Sequence, residues 1–215
     1  MPIPLSLRER VALPAPMPAG DQRFVVHGVS WKDYVVLREA LEIPGLRMAF
    51  DRGALELMSP SRKHERYKTM IGRLLEVWAL ERDVAVAGYG QTTFRNELAE
   101  QGVEPDECYT VGATMRDGEA PHLAIEVVLS SGGLDRLRIY ENLGVREVWF
   151  FVEDQFRVFE LGKGGYAERK GSGLLRGLDL DAIAAFAQRE DQHAAVREFQ
   201  ASLRKPRRSA PKRRR

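Results

Sequence analysis

Leu123-Ala124-Ile125-Glu126-Val127-Val128-Leu129 is an apolar run of strand length broken by a single acid, and Val103-Glu104-Pro105-Asp106-Glu107-Cys108-Tyr109 places a second acid in another short strand-like run. An ionised carboxylate in such a run loses its water, and leaving it uncompensated costs several kcal/mol or more. It must therefore be paired with a basic side chain or bound to a cation. Two such acids, Asp106 and Glu126, point to a metal site. A pair of structural salt bridges is the alternative, and the chain has the arginine to make them.

Outward from these runs the chain alternates between helical and extended patterns. Ser30 to Leu41 predicts a short helix, and Leu46–Phe50 and Ala54–Met58 flank Asp51-Arg52-Gly53 as a hairpin. Ser59-Pro60-Ser61 starts a long helix with Tyr67, Met70, Ile71, Leu74, Leu75 and Trp78 on one face. Three strand-like runs follow, Val84 to Phe94, Asp106 to Val111 and His122 to Leu129. Ser130-Ser131-Gly132-Gly133 opens a helix from Leu134 to Leu143, which Gly144 ends. Glu147 to Val152 has the continuous apolar character of a central strand, and Phe156–Leu161 with Tyr166–Arg169 makes a second hairpin. Leu178 to Leu203 reads as one or two surface helices capped by Asp179 or Asp181. Helix, three strands, helix, strand, with hairpins before and after, predicts an α/β layer on a mixed sheet.

A chain of 215 residues suits one full core with tails. The expected division is a flexible Pro-rich arm at 1–20, a single domain at 21–203 and a disordered basic tail at 204–215. One cysteine, Cys108, excludes an internal disulfide framework and a cysteine zinc cluster, which favours a reducing cytoplasmic setting. No run approaches the roughly 20 apolar residues of a spanning helix, so no membrane role is expected. The net charge is +2, yet eight positive charges (Arg204, Lys205, Arg207, Arg208, Lys212, Arg213, Arg214 and Arg215) lie at the end, leaving −6 before them. Such a tail attracts polyphosphate by counterion release, and a solubilising role is the alternative.

The element order, with Asp106 of Pro105-Asp106 on the second strand of the core and Glu126 on the third, resembles the PD-(D/E)XK nuclease superfamily. Gly53 to Pro60 followed by His64-Glu65, then Glu104-Pro105-Asp106, Ala124 to Val128, Asp135 with Tyr140, and Gly144 to Trp149 resembles the bacterial Uma-type restriction endonuclease family over roughly Val25 to Leu180. That resemblance implies a restriction-endonuclease-like core and metal-dependent hydrolysis of DNA phosphodiester bonds. It implies Mg2+ or Mn2+ on Asp106 and Glu126, with Glu56 or Glu65 as a supplementary acid between which the sequence does not choose. The partners implied are nucleic acid, DNA first, and a second copy of the chain. His64 is a candidate phosphate or metal contact, with a hydrogen-bonded structural histidine as its alternative.

One position departs from the pattern. The superfamily lysine two residues after the second acid is Val128 here, and the family resemblance places a lysine four residues before the tyrosine, where the chain has Arg136. Arginine keeps the charge that stabilises a pentavalent phosphate, but its pKa above about 12 removes it from proton transfer. Arg136 is thus the third catalytic candidate, and a salt bridge to Asp135 or Glu141 on a solvated face is its structural alternative. A nuclease fold that only binds nucleic acid or a partner, and a phosphoesterase acting on RNA, are the rival functions. Ser130 to Gly133 lacks the P-loop pattern and reads as a plain turn.

Overall fold

Two consecutive positive φ values, 44° at Arg52 and 91° at Gly53, turn the chain sharply, as a two-residue hairpin requires. They sit in the first of two sheets of the computed structural model, which describes residues 20–41, 43, 45–130 and 132–204. β1 (Gln22–His27), β2 (Arg47–Asp51), β3 (Ala54–Ser59), β5 (Phe94–Asn96) and β6 (Gln101–Val103) form that sheet in the order β1-β3-β2-β6-β5, antiparallel throughout. β4 (Val86–Gly88), β7 (Glu107–Val111), β8 (Leu123–Val128), β9 (Glu147–Val152), β10 (Gln155–Gly162) and β11 (Gly165–Arg169) form the second in the order β11-β10-β9-β8-β7-β4. Only β8 and β9 run parallel, which makes this sheet mixed. A parallel pair needs a crossover. The connecting helix is α3 (Arg136–Leu143), following α1 (Trp31–Ala40) and α2 (Arg62–Glu81) and preceding α4 (Leu180–Ala187) and α5 (Gln192–Arg204).

Side-chain alternation along β8 decides what each face buries. Leu123, Ile125 and Val127 join Trp149 and Phe151 in a core covered by α2, α4 and α5. Ala124 and Val148, on the opposite face, join Ala49 and Val103 of the first sheet and Ile139 and Tyr140 of α3. A third cluster packs Tyr34 of α1 on Met48, Phe50 and Leu55. The charged residues of interest therefore lie between the two sheets, because Glu126 shares its face with Ala124.

Local signals place the helices. Ser30, Ser61, Asp135 and Asp179 each accept a hydrogen bond from a first-turn amide, satisfying a donor that the helix leaves orphaned. Gly144 ends α3 in the left-handed region at φ 76°. The run Val84 to Phe94 is not one strand. It divides into β4 and β5, which belong to different sheets, and Gly90 at φ 57° turns the chain between them. Asp106 lies in the bend just before β7 rather than on it. The expected arm at 1–20 is outside the described residues except for Gly20, as is the tail after Arg204. Arg204 itself closes α5 and pairs with Glu81. No helix among the described residues is long and apolar enough to cross a membrane.

Gly102 on β6 marks the tightest packing between α1 and the first sheet. A Cβ there would stand 2.2 Å from Tyr34 Oη. Gly102→Ala should therefore destabilise the protein by about 1–3 kcal/mol, the usual cost of overpacking, read as a lowered denaturant midpoint. Adding Tyr34→Phe, which removes the obstructing hydroxyl, should restore part of that loss.

Candidate active site

Strand register brings the two acids together. Across β7 and β8, Glu107 faces Ile125, Cys108 faces Ala124 and Tyr109 faces Leu123. One further step sets Asp106 opposite Glu126 on the same face, where cross-strand Cβ atoms are about 4.5–5.5 Å apart. Asp106 Oδ2 accepts the Val127 amide at 2.7 Å, which fixes the bend against β8. Tyr140 of α3 donates its hydroxyl to Glu126 Oε1 at 2.5 Å. Both carboxylates are buried, Asp106 at 2 % and Glu126 at 7 % exposure.

The first sheet supplies the opposing charges, again through register. Ala49 pairs with Glu56, Arg47 with Met58, and Val25 and Arg23 with Glu56 and Met58, so Arg23, Arg47 and Glu56 share the face of Ala49. That face meets the acids. Arg47, only 2 % exposed, places Nη1 3.0 Å from Asp106 Oδ1 and donates through Nη2 to Glu65 at 2.6 Å. Arg136, at the first turn of α3, donates through Nη2 to Glu56 Oε1 at 2.6 Å, while Glu56 Oε2 accepts the Leu134 amide at 2.7 Å and stands 3.7 Å from Arg23. Gly133 packs closely against this group, since a Cβ would lie 1.9 Å from Arg23 Nη1 and 2.6 Å from Glu56 Oε2 and would force those side-chain ends to move.

His64 completes the arrangement from the start of α2. Its Nδ1 is 3.0 Å from Asp21 Oδ2 and its Nε2 2.9 Å from Asp106 Oδ2. Burial alone would lower its pKa, but the bond to Asp106 and the charges of Asp106 and Asp21 outweigh it and raise the pKa above 6.5. Asp106 moves the other way. Burial pushes its carboxyl up, while His64, Arg47 and the Val127 amide together hold it below 3.8. Glu126 is pushed up to about 6, first by burial and then by the Asp106 charge, with Arg136 and Tyr140 acting against both.

Several expectations change. Arg136 is buried and bonded to Glu56, so it is no solvated-face partner of Asp135 or Glu141; Asp135 instead caps α3 through the Arg138 amide. His64 has no exposure and is held between Asp21 and Asp106, the arrangement of the hydrogen-bonded histidine named as its alternative. Glu56 is fully buried and tied to the site through Arg136, whereas Glu65, 41 % exposed, is tied to it through Arg47 and also meets Lys68. Of the basic tail, Lys205, Arg207, Arg208, Lys212, Arg213, Arg214 and Arg215 lie outside the described residues. Arg23, Arg47, Asp21 and Tyr140 belong to the site although no functional role was assigned to them from sequence.

A divalent cation can be tested against this donor set. Among the described residues no three His, Cys, Asp or Glu side chains group closely enough to hold a metal. Two carboxylates do converge, and magnesium commonly takes one or two, completing its shell with water and substrate oxygens. No hydrogen bond within the described residues reaches Glu126 Oε2 or Asp106 Oδ1; the Arg47 Nη1 contact to the latter lacks hydrogen-bond alignment. Oxygen-only donors are the type that magnesium takes. Arg47 Nη1 and His64 Nε2 already face Asp106, at 3.0 and 2.9 Å, whereas the buried nitrogens Arg47 Nε and Arg136 Nη1 have no hydrogen-bond partner among the described residues.

Comparison with known proteins bears on this cleft. Residues 31–190 match the family model Uma2, described as "Putative restriction endonuclease". No curated protein matches the chain. The crystal structure of "a putative nuclease belonging to DUF820" from Anabaena variabilis ATCC 29413 aligns with 78% of this chain and 98% of its own, at 12% identity and a TM-score of 0.43, too distant to bear on the site.

The raised pKa of His64 has a definite consequence for stability. A base whose folded pKa exceeds its unfolded value contributes fully below the unfolded value, here about 6.5, and loses that contribution as pH rises through the folded value. In chelator-containing buffer the thermal midpoint should thus fall as pH is raised from 6.5, and His64→Asn should flatten that fall. Parallel pH profiles for the two proteins would refute the assignment.

Proposed function

The chain belongs to the Uma2 restriction endonuclease family, and from that premise we propose that it is an endonuclease hydrolysing DNA phosphodiester bonds at the Asp106–Glu126 cleft. One observation carries the reading. Two converging carboxylates stand beside two buried guanidinium nitrogens without partners among the described residues, Arg47 Nε and Arg136 Nη1, and a phosphodiester offers the acceptor oxygens such donors need.

Magnesium or manganese would be held by Asp106 and Glu126, supplying Lewis-acid polarisation of the phosphate and a water acidified toward hydroxide. The chain's own residues do the positioning. Tyr140 orients Glu126, and His64 with the Val127 amide orients Asp106. Arg136, with Nη2 committed to Glu56, keeps Nη1 for a phosphate oxygen and offers fixed positive charge to the phosphorane. It moves no proton, since its pKa is raised further by the charges of Glu126 and Glu56 against the effect of burial. The fixed charge also favours a second reading, a nuclease fold that binds DNA without cutting it.

Plasmid nicking with and without magnesium separates these. We expect magnesium-dependent nicking that Asp106→Asn and Glu126→Gln abolish and that Arg136→Lys retains or increases. A wild-type protein inert toward DNA and RNA, yet binding DNA with a steep salt dependence, would establish the binding reading. Arg136→Ala is the wrong probe, because it leaves Glu56 buried without its main partner and should cost about 3–5 kcal/mol of stability.

A further inference from the structure

A recess of about 320 Å3 opens beside the acid pair, between the loop leading into α3 and the β9–β10 hairpin. Its two sides differ in chemistry. On one, Arg23, Ser130 and Arg136 line the recess, and each holds a buried polar atom with no hydrogen-bond partner among the described residues, namely Arg23 Nε, Ser130 Oγ and Arg136 Nη1. Arg136 is more than nine-tenths buried. The opposite side is apolar and aromatic. Phe150 and Phe159 meet edge to face with centroids 5.7 Å apart, above Val128 and Val152. The Arg157 guanidinium stands 5.2 Å from the Phe159 centroid, stacked on the ring while paired with Glu168.

Existing bonds do not use up the donors on the polar side. Arg23 and Arg136 both meet the carboxylate of Glu56, the Glu126 charge also acts on Arg136, and the Asp135 carboxylate is drawn to the first turn of α3. The complementary ligand has a compact, multivalent anion at one end and a flat, stackable group at the other. Its size is limited, since 320 Å3 is at the small end of the roughly 300–1,000 Å3 of ligand pockets.

We propose that this recess is a nucleotide subsite, taking a phosphate on Arg23, Ser130 and Arg136 and the attached base on Phe150 and Phe159. The proposal rests on the nucleic-acid reading above and adds to it a pocket for one nucleotide, either a free mononucleotide or the end of a strand. Aromatic stacking on a base is tolerant of sequence, so the subsite would hold the substrate without choosing it.

Calorimetry on the full chain in chelating buffer tests this with four probes: deoxyadenosine 5′-monophosphate, deoxyadenosine, inorganic phosphate and a 5′-phosphorylated deoxyadenosine tetranucleotide. The monophosphate should bind at least roughly tenfold more tightly than the nucleoside or phosphate alone, because each lacks one half of the recognition. Phe159→Ala should weaken the nucleotide by roughly tenfold through lost stacking and spare inorganic phosphate, while Ser130→Ala should weaken both. Tighter binding of the tetranucleotide identifies a strand end, and equal binding a free nucleotide; both support the subsite. A monophosphate no tighter than phosphate, or unaffected by both substitutions in proteins with wild-type thermal midpoints, overturns it. Nucleotide binding without DNA binding or cleavage would sink the endonuclease reading alone, whereas DNA binding with no mononucleotide affinity would sink the subsite alone.

Discussion

Four acids, Asp106, Glu126, Glu56 and Asp21, have carboxylates with little or no water between the two sheets, and the site depends on how their charge is balanced. Moving a carboxylate into such a setting costs several kcal/mol even after relaxation. Two of them are met by several donors from different elements, Asp106 from α2, β2 and β8 and Glu56 from β1, α3 and the loop before α3, while Glu126 has the Tyr140 hydroxyl alone among the described residues. No single element makes the site. Docking the sheets brings the charges together, and the apolar clusters on their outer sides supply the burial that offsets the desolvation of this layer.

This dependence explains what the sequence reveals. Glu126 stands out because one charge in an apolar strand has few physical solutions, and Arg47 inside Leu46–Phe50 carries the same signal in the opposite sign. Arg23 and Asp21 give no such signal. β1 alternates between half-buried and exposed positions at a sheet edge, and only its register against β3 turns Arg23 toward Glu56. The helices and hairpins were legible because caps, turns and apolar periodicity are local. β4, β5 and β6 have three residues each, too few to display a period, and partner choice alone defines them.

The choice between Glu56 and Glu65 shows the same limit from another side. Their spacing puts one on a strand and the other on a helix, and sequence gives both an equal claim. In the fold they stand at opposite ends of two ion-pair chains. Glu126 and Glu56 both act on Arg136, and Asp106 and Glu65 both contact Arg47. Burial separates them, with Glu56 sealed in and Glu65 open to solvent. A cation recruiting either acid would compete with an existing bond, that of Glu65 to Arg47 at the solvent side or that of Glu56 to Arg136 in the interior.

That bond also gives Arg136 a physical reason to be arginine. A lysine ammonium at this position has one charged centre, so it could answer Glu56 or a phosphate but would span both only by compromise. The guanidinium is planar, with donors on two separate nitrogens. It bonds Glu56 through Nη2 while Nη1 stays unpartnered beside the recess. Proton transfer is surrendered, and in exchange one side chain joins the buried acid of the first sheet to the anion-seeking edge of the second. The same residue thus links the acid pair to the neighbouring pocket, and any ligand drawing on Nη1 is coupled through Glu56 to the position of β1 and β3.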